Sequence, residues 1–357
     1  MRTLVLFFCI LTLNLQACSL PLSITNSGEE YYDLTEALPK GYKKDGSVDY
    51  TNYIQTALNK YHNVLMPNFT ISTTGLLAVS NSHIKFQPNS KLKLIPTDRE
   101  RYQVLAIHGV ENVTVTNANI EGDLKKHKGT KGEWGFGIDI RNSKNITINN
   151  AKVSNCWGDG IVIAYGSKGF LGKKTYETAN IIISDFNISY CRRNGITVGG
   201  VNNLTINNGV ISNIKGTPPQ AGIMIEPDNG DYTLSNIKIS NLKLSNSTSG
   251  LAVNLGSYVS AQRHNQFGLK LSNVVASDNY YGFYFSIPTK KSDLKKLTGN
   301  VYLENLKSKN NKFAFENKDK NNLMTKITIN KIIVNDKVPT REALLKTSTK
   351  ENINFEN

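Results

Sequence analysis

The sequence predicts an all-β chain wound into a right-handed parallel β-helix, with a helix capping its N-terminal end. Two strand phrases alternate along the chain, each with β-branched or aromatic residues at every second position. One begins with Asn and occupies residues 112–115, 145–148, 180–183, 203–206, 236–239 and 300–303. The other begins with Gly and occupies residues 137–140, 160–163, 195–198, 222–225, 250–253 and 282–285. No amphipathic helix separates the phrases, so the strands must stack on their copies in neighbouring coils, and the repeat spacing fits this fold.

Two ends frame the solenoid, which we expect over residues 41–338. Within residues 50–62, Ile54, Ala57, Leu58 and Tyr61 form the stripe of a helix lying on an apolar surface. Such a lid is needed because the open end of a β-helix exposes unpaired strand edges. At the other end we expect one more coil at residues 326–334 and a cap or polar tail over 339–357.

The first 17 residues have the features of a secretory signal peptide. A single charge at Arg2 precedes an apolar stretch over residues 4–15, which is too short to span a membrane. Residues 15–18 resemble the lipobox of bacterial lipoproteins, which implies cleavage before Cys18 and lipidation of that cysteine. Ser19 stands where Asp would favour inner-membrane retention, so the resemblance implies an outer-membrane lipoprotein of the cell envelope, facing the periplasm or the medium, with residues 18–40 as a linker. Without the lipobox, the segment is an ordinary cleaved signal.

The chain is strongly basic, with 42 Lys and Arg against 28 Asp and Glu and a formal net charge of +14. The net charge indicates that a partner is negatively charged, but it does not indicate the chemical class of that partner. We expect an acidic polysaccharide and a membrane contact through the lipid at Cys18, but no nucleic acid; the oligomeric state stays open. No cofactor is expected, and the five His residues show no zinc spacing. Residues 228–231 offer oxygen ligands to Ca²⁺ without a dedicated loop, so Ca²⁺ binding there stays open.

Cys156 and Cys191 remain after the signal peptide and the lipidated cysteine are set aside. They occupy equivalent places in two repeats, at the end of similar strand phrases. Stacked buried thiols and, in an oxidising compartment, a disulfide are both compatible with this placement.

Several segments resemble the pectate-lyase-like superfamily of right-handed β-helix proteins. Asp45-Gly46 and the residues up to 58, together with residues 64–67 and 92–94, resemble its entry segment. Residues 156–161, 192–196 and 221–227 are similar to phrases in its uncharacterised bacterial and phage members. The superfamily contains polysaccharide lyases, hydrolases, epimerases and tailspike depolymerases, so the resemblance implies the fold and a carbohydrate substrate. The Asn-Thr-Asp, Asp-Asp and Gly-His-Gly signature of polygalacturonases and the Asp-Pro-His of alginate epimerases are missing from the sequence, so no particular reaction is implied.

The candidate site residues belong to one face of the Gly-initiated strands. In these strands the residues at +1 and +3 from Gly are apolar and inward, so those at +2 and +4 are predicted to point to solvent. This face carries Asp139, Arg141 and, three coils later and roughly 14 Å away, Glu226. Further candidates come just before the Gly of a strand: Trp157, Asp159, Arg192, Arg193 and Asn194.

Carboxylates, guanidiniums and indoles are the groups that sugar chemistry uses. In a glycosidase, Asp159 with Glu226 or Asp139 would supply the acid and the base or nucleophile. In a lyase, Arg193 would bind a uronate carboxyl while another Arg or a Lys removes the α proton. The substrate-binding candidates are Trp157, Arg141, Arg192, Asn194 and, from a loop, Trp134.

We therefore expect an enzyme that degrades an acidic polysaccharide in a groove on the β-helix face. Three candidate carboxylates favour hydrolysis, while the positive net charge favours β-elimination from uronates, and both reactions stay open. The alternative is a non-catalytic polysaccharide-binding or surface-adhesion lipoprotein, because each candidate residue also has a structural explanation as a turn former or surface pair.

Overall fold

The computed structural model of the chain describes residues 22–24, 30–166, 177–260, 266–289, 294 and 296–356. The predicted signal peptide and Cys18 lie outside these ranges. The N-terminal part contains β1 (Leu22–Ile24), β2 (Glu30–Asp33), a 3-10 helix (Leu34–Ala37), β3 (Asp45–Asp49), α1 (Thr51–Lys60), β4 (Asn63–Met66), β5 (Thr70–Thr73), β6 (Leu76–Leu77), β7 (Ser82–Phe86) and β8 (Lys91–Leu94). The central part contains β9 (Arg101–His108), β10 (Glu111–Thr116), β11 (Asn119–Glu121), β12 (Trp134–Arg141), β13 (Lys144–Asn149), β14 (Lys152–Ser154), β15 (Ile161–Ala164), β16 (Ala179–Ser189), β17 (Asn194–Val198) and β18 (Val201–Ser212). The C-terminal part contains β19 (Ala221–Ile225), β20 (Leu234–Ser245), β21 (Ser249–Asn254), α2 (Gly256–Val259), β22 (Phe267–Ser277), β23 (Tyr281–Ser286), β24 (Asn300–Glu304), β25 (Leu306–Lys309), β26 (Phe313–Lys318), β27 (Lys326–Ile329), β28 (Ile332–Val334), α3 (Arg341–Leu344) and β29 (Ile353–Phe355).

The strands form a parallel β-helix, as the alternating phrases predict. The Gly-initiated phrases lie in a nine-stranded sheet that runs from β6 to β26 through β9, β12, β15, β17, β19, β21 and β23. The Asn-initiated phrases lie in a 20-stranded sheet, where each coil pairs in parallel with the next. Pairing aligns Ile138, Ile161, Ile196 and Ile223, all of them fully buried, so one hydrophobic core runs through the coils.

A ladder of asparagines explains why one phrase begins with Asn. Asn112, Asn145, Asn180 and Asn203 all have positive φ, the left-handed conformation that Asn adopts more readily than other non-glycine residues. Each side-chain amide donates a hydrogen bond of 2.8 to 2.9 Å to the side-chain oxygen of the asparagine one coil earlier. The sequence separation between rungs varies from 23 to 35 residues. Loops therefore absorb the length differences while the strand register is kept.

Both ends of the solenoid are closed. Helix α1 buries Ile54, Ala57 and Leu58, which confirms the predicted capping helix. At the C-terminal end β29 pairs with β27, and Leu345 is fully buried, so residues 339–356 form an ordered cap. Within the described ranges, no helix has the length and apolar character needed to cross a bilayer.

The predicted linker over residues 18–40 is wrong in its C-terminal part. Strand β2 pairs in parallel with β4, and Tyr31 and Leu34 are fully buried. The Tyr31 hydroxyl also lies 2.6 Å from Nδ1 of His83. The solenoid therefore includes residues 30–40, because aromatic and leucine side chains there complete the N-terminal end of the core.

The two cysteines are stacked, free and fully buried. A hydrogen bond between the thiols and the loss of hydration raise the pKa of Cys156 well above its ordinary value. The structure thus has the stacked thiols and not the disulfide, and neither thiol is exposed for reaction.

Candidate functional site

The outer face of the nine-stranded sheet carries the predicted site residues, but most of that face is covered. Pairing aligns Asp139 with Val162, then with Thr197 and Met224 in the next coils. The prediction that these side chains point to solvent is wrong, because none of the four residues is more than 8% exposed. Two apolar clusters lie on this outer face: Phe136, Val162 and Ala164, and Ala221, Met224 and Ala252. Side chains on the outer face therefore pack on one another across neighbouring coils.

Asp139 lies in a sealed cluster with His108 and Arg141, here called the Asp139 cluster. Arg141 Nε donates to both carboxylate oxygens of Asp139, at 2.9 and 3.0 Å, and His108 Nε2 lies 2.9 Å from Oδ2. Arg141 Nη1 also donates to the carbonyl of Tyr165. Asp139 itself is fully buried, so the structure does not bring this predicted catalytic residue or Arg141 together with Glu226 in an open cleft.

A second ionic group, the Arg193 cluster, joins Arg193 to the carboxylates of Glu133, Asp159 and Glu226. Arg193 Nη1 donates to Asp159 Oδ2 at 3.1 Å, and Nη2 donates to Glu226 Oε2 at 3.3 Å. Nε lies 3.7 Å from Oε2 of Glu133. One guanidinium thus gathers three carboxylates from three different coils, and two of them are predicted site residues.

The three carboxylates differ in exposure. The side chain of Asp159 is 1% exposed, whereas those of Glu226 and Glu133 are 31% and 33% exposed. Asp159 accepts further hydrogen bonds from the hydroxyl of Thr197 at 2.8 Å and from the backbone N–H of Asn194 at 3.0 Å. Asp159 therefore anchors the cluster from below, while the two glutamates reach its surface.

Burial shifts the proton affinities of this cluster. Loss of hydration raises the pKa of Asp159 to about 6, despite the opposing effect of Arg193 and of the hydrogen bonds from Thr197 and Asn194. Loss of hydration also raises the pKa of Glu226, with Arg193 opposing it and Asp228 adding to it. Burial alone would lower the pKa of Arg193, but the three carboxylates raise it, so the guanidinium stays charged.

Asn194, a predicted substrate-binding residue, has a structural role. Its side chain is fully buried, its amide donates to the hydroxyl of Thr197 at 3.0 Å, and its oxygen accepts from the backbone N–H of Ala221 at 3.1 Å. Asn194 thereby fixes the turn that carries Arg193, and its amide is already used within the protein.

The two predicted aromatic binders are placed differently. Trp157 has the imidazole of His127 stacked at 4.0 Å between ring centroids and the guanidinium of Arg192 at 3.9 Å from its centroid. Two groups this close to one ring centre must occupy opposite faces, so Trp157 and Arg192 form a stack that offers no free indole face. Trp134 is 38% exposed and lies against Arg101 at the start of β12.

This stack ties the turn of Arg192 to the loop that carries Glu133. Arg192 Nη1 donates to the carbonyl of Gly132 at 2.8 Å, and the indole N–H of Trp157 donates to the same carbonyl at 3.1 Å. The ring of His127 is held by Asp123 at 2.9 Å. These contacts hold the loop at His127 and at Gly132, the residue immediately before Glu133.

A groove extends from the Arg193 cluster along the outer face of the nine-stranded sheet. Glu226 lines a cavity of about 400 Å³ together with Pro227, Ser257 and Ser260. A larger cavity of about 720 Å³ continues toward β26. The two cavities share the walls formed by Asn254, Pro288 and Thr289. Glu226 therefore stands at one end of a continuous depression.

Sequence reasoning missed Glu133 as a site residue, and it also left the tyrosines of the larger cavity unassigned. Glu133 ends a polar stretch directly before β12, whereas Asp159 and Arg193 precede a strand glycine by one and two residues. The bare Cα of Gly158 lets the backbone at Glu133 pass close by, which brings its carboxylate to Arg193. The polar stretch indicated a candidate loop, but because such loops vary in length the sequence does not show which of its residues reaches the site.

In the part of the chain that the structure describes, no three His, Cys, Asp or Glu side chains are grouped so as to hold a metal ion. At the segment considered for Ca²⁺, the side-chain oxygen of Asn229 accepts from the backbone N–H of Asp231 at 2.9 Å. That contact belongs to a turn.

Comparison with known proteins identifies the family. Residues 58–236, half of the chain, match the model of the right-handed beta helix region. The chain therefore belongs to the right-handed β-helix family, and the handedness expected from the coil length is confirmed.

Individual relatives are distant. The chain is 29% identical over 215 residues to the uncharacterized protein YclG of Bacillus subtilis (strain 168), covering 52% of this chain and 36% of that protein, so it spans about a third of that relative's length. Among solved structures it is similar to the polygalacturonase from Erwinia carotovora, with a TM-score of 0.58, 15% identity and coverage of 88% of this chain and 96% of that one. It is also similar to a tailspike protein of E. coli bacteriophage HK620 in complex with a pentasaccharide, with a TM-score of 0.60, 10% identity and coverage of 87% and 60%. At these identities the similarity to solved structures shows the fold alone.

Proposed function

We propose that the protein hydrolyses glycosidic bonds of an acidic polysaccharide held in the groove on the nine-stranded sheet. The observation that carries the proposal is the Arg193 cluster, where Glu226 and Glu133 are partly exposed and Glu226 lines the groove. Glycoside hydrolysis requires two carboxyl groups, one to protonate the leaving oxygen and one to act as base or nucleophile. Two carboxylates held on one guanidinium meet that requirement.

The environment of Glu226 suggests its role. Because burial raises the pKa of Glu226, this residue is the better general acid, which must carry a proton at the working pH. Glu133 then acts as the base or nucleophile. Arg193 orients both side chains, and buried Asp159 is a positioning residue that holds Arg193 through its 3.1 Å hydrogen bond.

Hydrolysis is favoured over β-elimination by the state of Arg193. Elimination needs a cation that is free to neutralise the uronate carboxyl and the charge that develops on it. Arg193 is only 17% exposed, and its guanidinium already faces three carboxylates. No lysine is among the described residues lining the cavity at Glu226.

The known activities and ligands of the structural relatives support a polysaccharide substrate. One is a polygalacturonase, another a tailspike solved with a pentasaccharide, and a further relative is an iota-carrageenase complexed to iota-carrageenan fragments. The net charge of +14 adds that the polymer is acidic.

Binding without cleavage is the second candidate function. It is supported by the position of the larger cavity, which lies on β19 to β26 and does not include a residue of the Arg193 cluster. A binding protein would use that cavity and keep the Arg193 cluster as a structural ion network.

The test incubates the protein with acidic and neutral polysaccharides and follows new reducing ends together with ultraviolet absorbance from unsaturated sugars. We expect reducing ends without absorbance, lost in Glu226→Gln and Glu133→Gln. The matched control is Glu304→Gln, whose carboxylate pairs with Lys270 on the exposed face of the 20-stranded sheet. Absorbance would contradict hydrolysis in favour of elimination, and binding without any reducing ends would favour the binding protein.

We also propose that the protein is an envelope lipoprotein anchored through Cys18. The proposal rests on residues 15–18 and the preceding apolar stretch. Cells fed a labelled fatty acid should incorporate label into the wild-type protein and not into Cys18→Ser, and label in both proteins would contradict it.

A further inference from the structure

The larger cavity of the groove has the composition of a sugar-binding site. It measures about 720 Å³, and its walls include Tyr281, Tyr284, Lys318 and Lys320. The floor is apolar, formed by Met224 and Ala252 on the outer face of β19 and β21. A cavity of this size with an apolar floor and a few polar side chains is typical of a small-molecule or sugar subsite.

Its tyrosines belong to a fixed aromatic group. The ring centroids of Tyr281 and Tyr284 are 4.7 Å apart, and Tyr281 stacks on Phe313 at 5.4 Å. Tyr280 lies edge-on to Tyr281 at 4.7 Å and is 43% exposed. Rings held in this way present apolar area at little entropic cost, which suits the apolar face of a sugar ring.

Two lysines give the cavity a positive edge. Lys318 pairs with the buried carboxylate of Glu316 at 2.7 Å and also donates to the carbonyl of Thr347. The hydrogen bond to Glu316 raises the pKa of Lys318, so it stays protonated and does not serve as a base. Lys320 is exposed and has no carboxylate partner among the described residues. A charge that no internal group offsets is available to an anionic ligand.

The cavity is aligned with the Arg193 cluster. Tyr284 is paired with Ala252, which is paired with Met224 of β19, the strand that ends beside Glu226. Two steps between parallel strands correspond to about 10 Å along the solenoid axis. The shared walls at Asn254, Pro288 and Thr289 make the passage continuous.

We propose that this cavity is a subsite for an anionic sugar unit of the polymer, with Tyr281 and Tyr284 contacting the ring and Lys320 binding its carboxylate or sulfate. The protein would therefore select chains that carry an acidic group roughly 10 to 15 Å from the bond beside Glu226, because Lys320 follows β26, one strand step beyond Tyr284. This inference rests on the proposed function for the position of the cleaved bond, whereas the binding site itself does not depend on cleavage.

The experiment measures binding and not turnover. Glu226→Gln protein, unable to cleave, is applied to an array of oligosaccharides that carry matched backbones in uronate, sulfated and uncharged forms, and affinities for the hits are determined by calorimetry. We expect binding to an acidic form, with the uronate and sulfate arms identifying the anion. Lys320→Gln should weaken binding of that acidic form roughly tenfold and leave the uncharged form unchanged.

Tyr284→Ala should weaken the acidic and uncharged forms alike, roughly fivefold. The control is Lys307→Gln, an exposed lysine on the 20-stranded sheet. Equal affinity of Lys320→Gln and the control, or no binding to any acidic form, would overturn the proposal. Binding that follows these expectations while wild-type protein releases no reducing ends would support the subsite and refute hydrolysis, so the two failures are distinguishable.

Discussion

The Asp139 cluster and the Arg193 cluster lie on the same face of the same sheet, yet only one of them is open. Both join an aspartate that is at most 1% exposed to an arginine within 3.1 Å. In the first, Arg141 lies against the ring of Phe136, and among the described residues no carboxylate other than Asp139 pairs with it. In the second, Arg193 is shared by two further carboxylates that are about a third exposed. An ion pair on the outer face becomes a candidate site when accessible side chains extend it to a groove.

The largest effect is expected from removing the shared cation of the open cluster. Arg193→Met leaves the buried carboxylate of Asp159 without its counter-charge, which should lower the free energy of unfolding by about 3–5 kcal/mol. Denaturant titration of both proteins measures this. A loss below about 1 kcal/mol, the range of exposed ion pairs, would mean that the cluster is solvated and not buried as described.

A slightly smaller effect is expected from pH. The pKa of Asp159 is raised to about 6 in the folded protein, so its protonated form is favoured by folding. Its contribution to stability is present below the unfolded pKa near 4 and is lost as the pH rises through 6, a change of roughly 3 kcal/mol. Relative to Asp159→Asn, the wild type should therefore lose unfolding free energy as the pH rises from 4 to 6. A shift in the opposite direction would contradict the raised pKa.

The smallest effect is expected in the sealed cluster, where Asp139→Asn keeps the shape of the side chain. Removing the charge beside Arg141 and His108 should cost about 1–3 kcal/mol of stability, because buried polar groups lose a charged hydrogen-bond partner. Turnover should stay within about twofold of wild type, since Asp139 is fully buried. A large drop in kcat at unchanged stability would show that the sealed cluster takes part in function.

The fold could be predicted because its signals are local. The alternation of inward residues such as Ile138 and Ile140 is a period-two pattern, and asparagines such as Asn145 mark left-handed turns. The helix cap over Thr51–Lys60 follows from a helical stripe. Each of these signals depends on only a few neighbouring residues, so it can be recognised in the sequence.

The site could be predicted only in part, because exposure and convergence depend on other coils. Asp159, Arg193 and Glu226 were recognised and do meet. Asp139 was placed on the correct face, but Phe136 and the neighbouring coils that cover this face cannot be inferred from one strand phrase. Glu133 was missed because the loop before β12 differs in length from the loops before β15 and β17. The predicted linker boundary was wrong for a similar reason, because the pairing of β2 with β4 cannot be inferred from residues 30–33 alone.

The central claim is that chemistry occurs at the open cluster, and one comparison tests it most directly. Wild type, Glu226→Gln and Asp139→Asn are assayed side by side for release of reducing ends from the panel of acidic polysaccharides. The account predicts that Glu226→Gln loses about 10²- to 10⁴-fold in kcat, the contribution of a general acid, while Asp139→Asn retains its activity. Full activity in Glu226→Gln, or loss in Asp139→Asn alone, would contradict it.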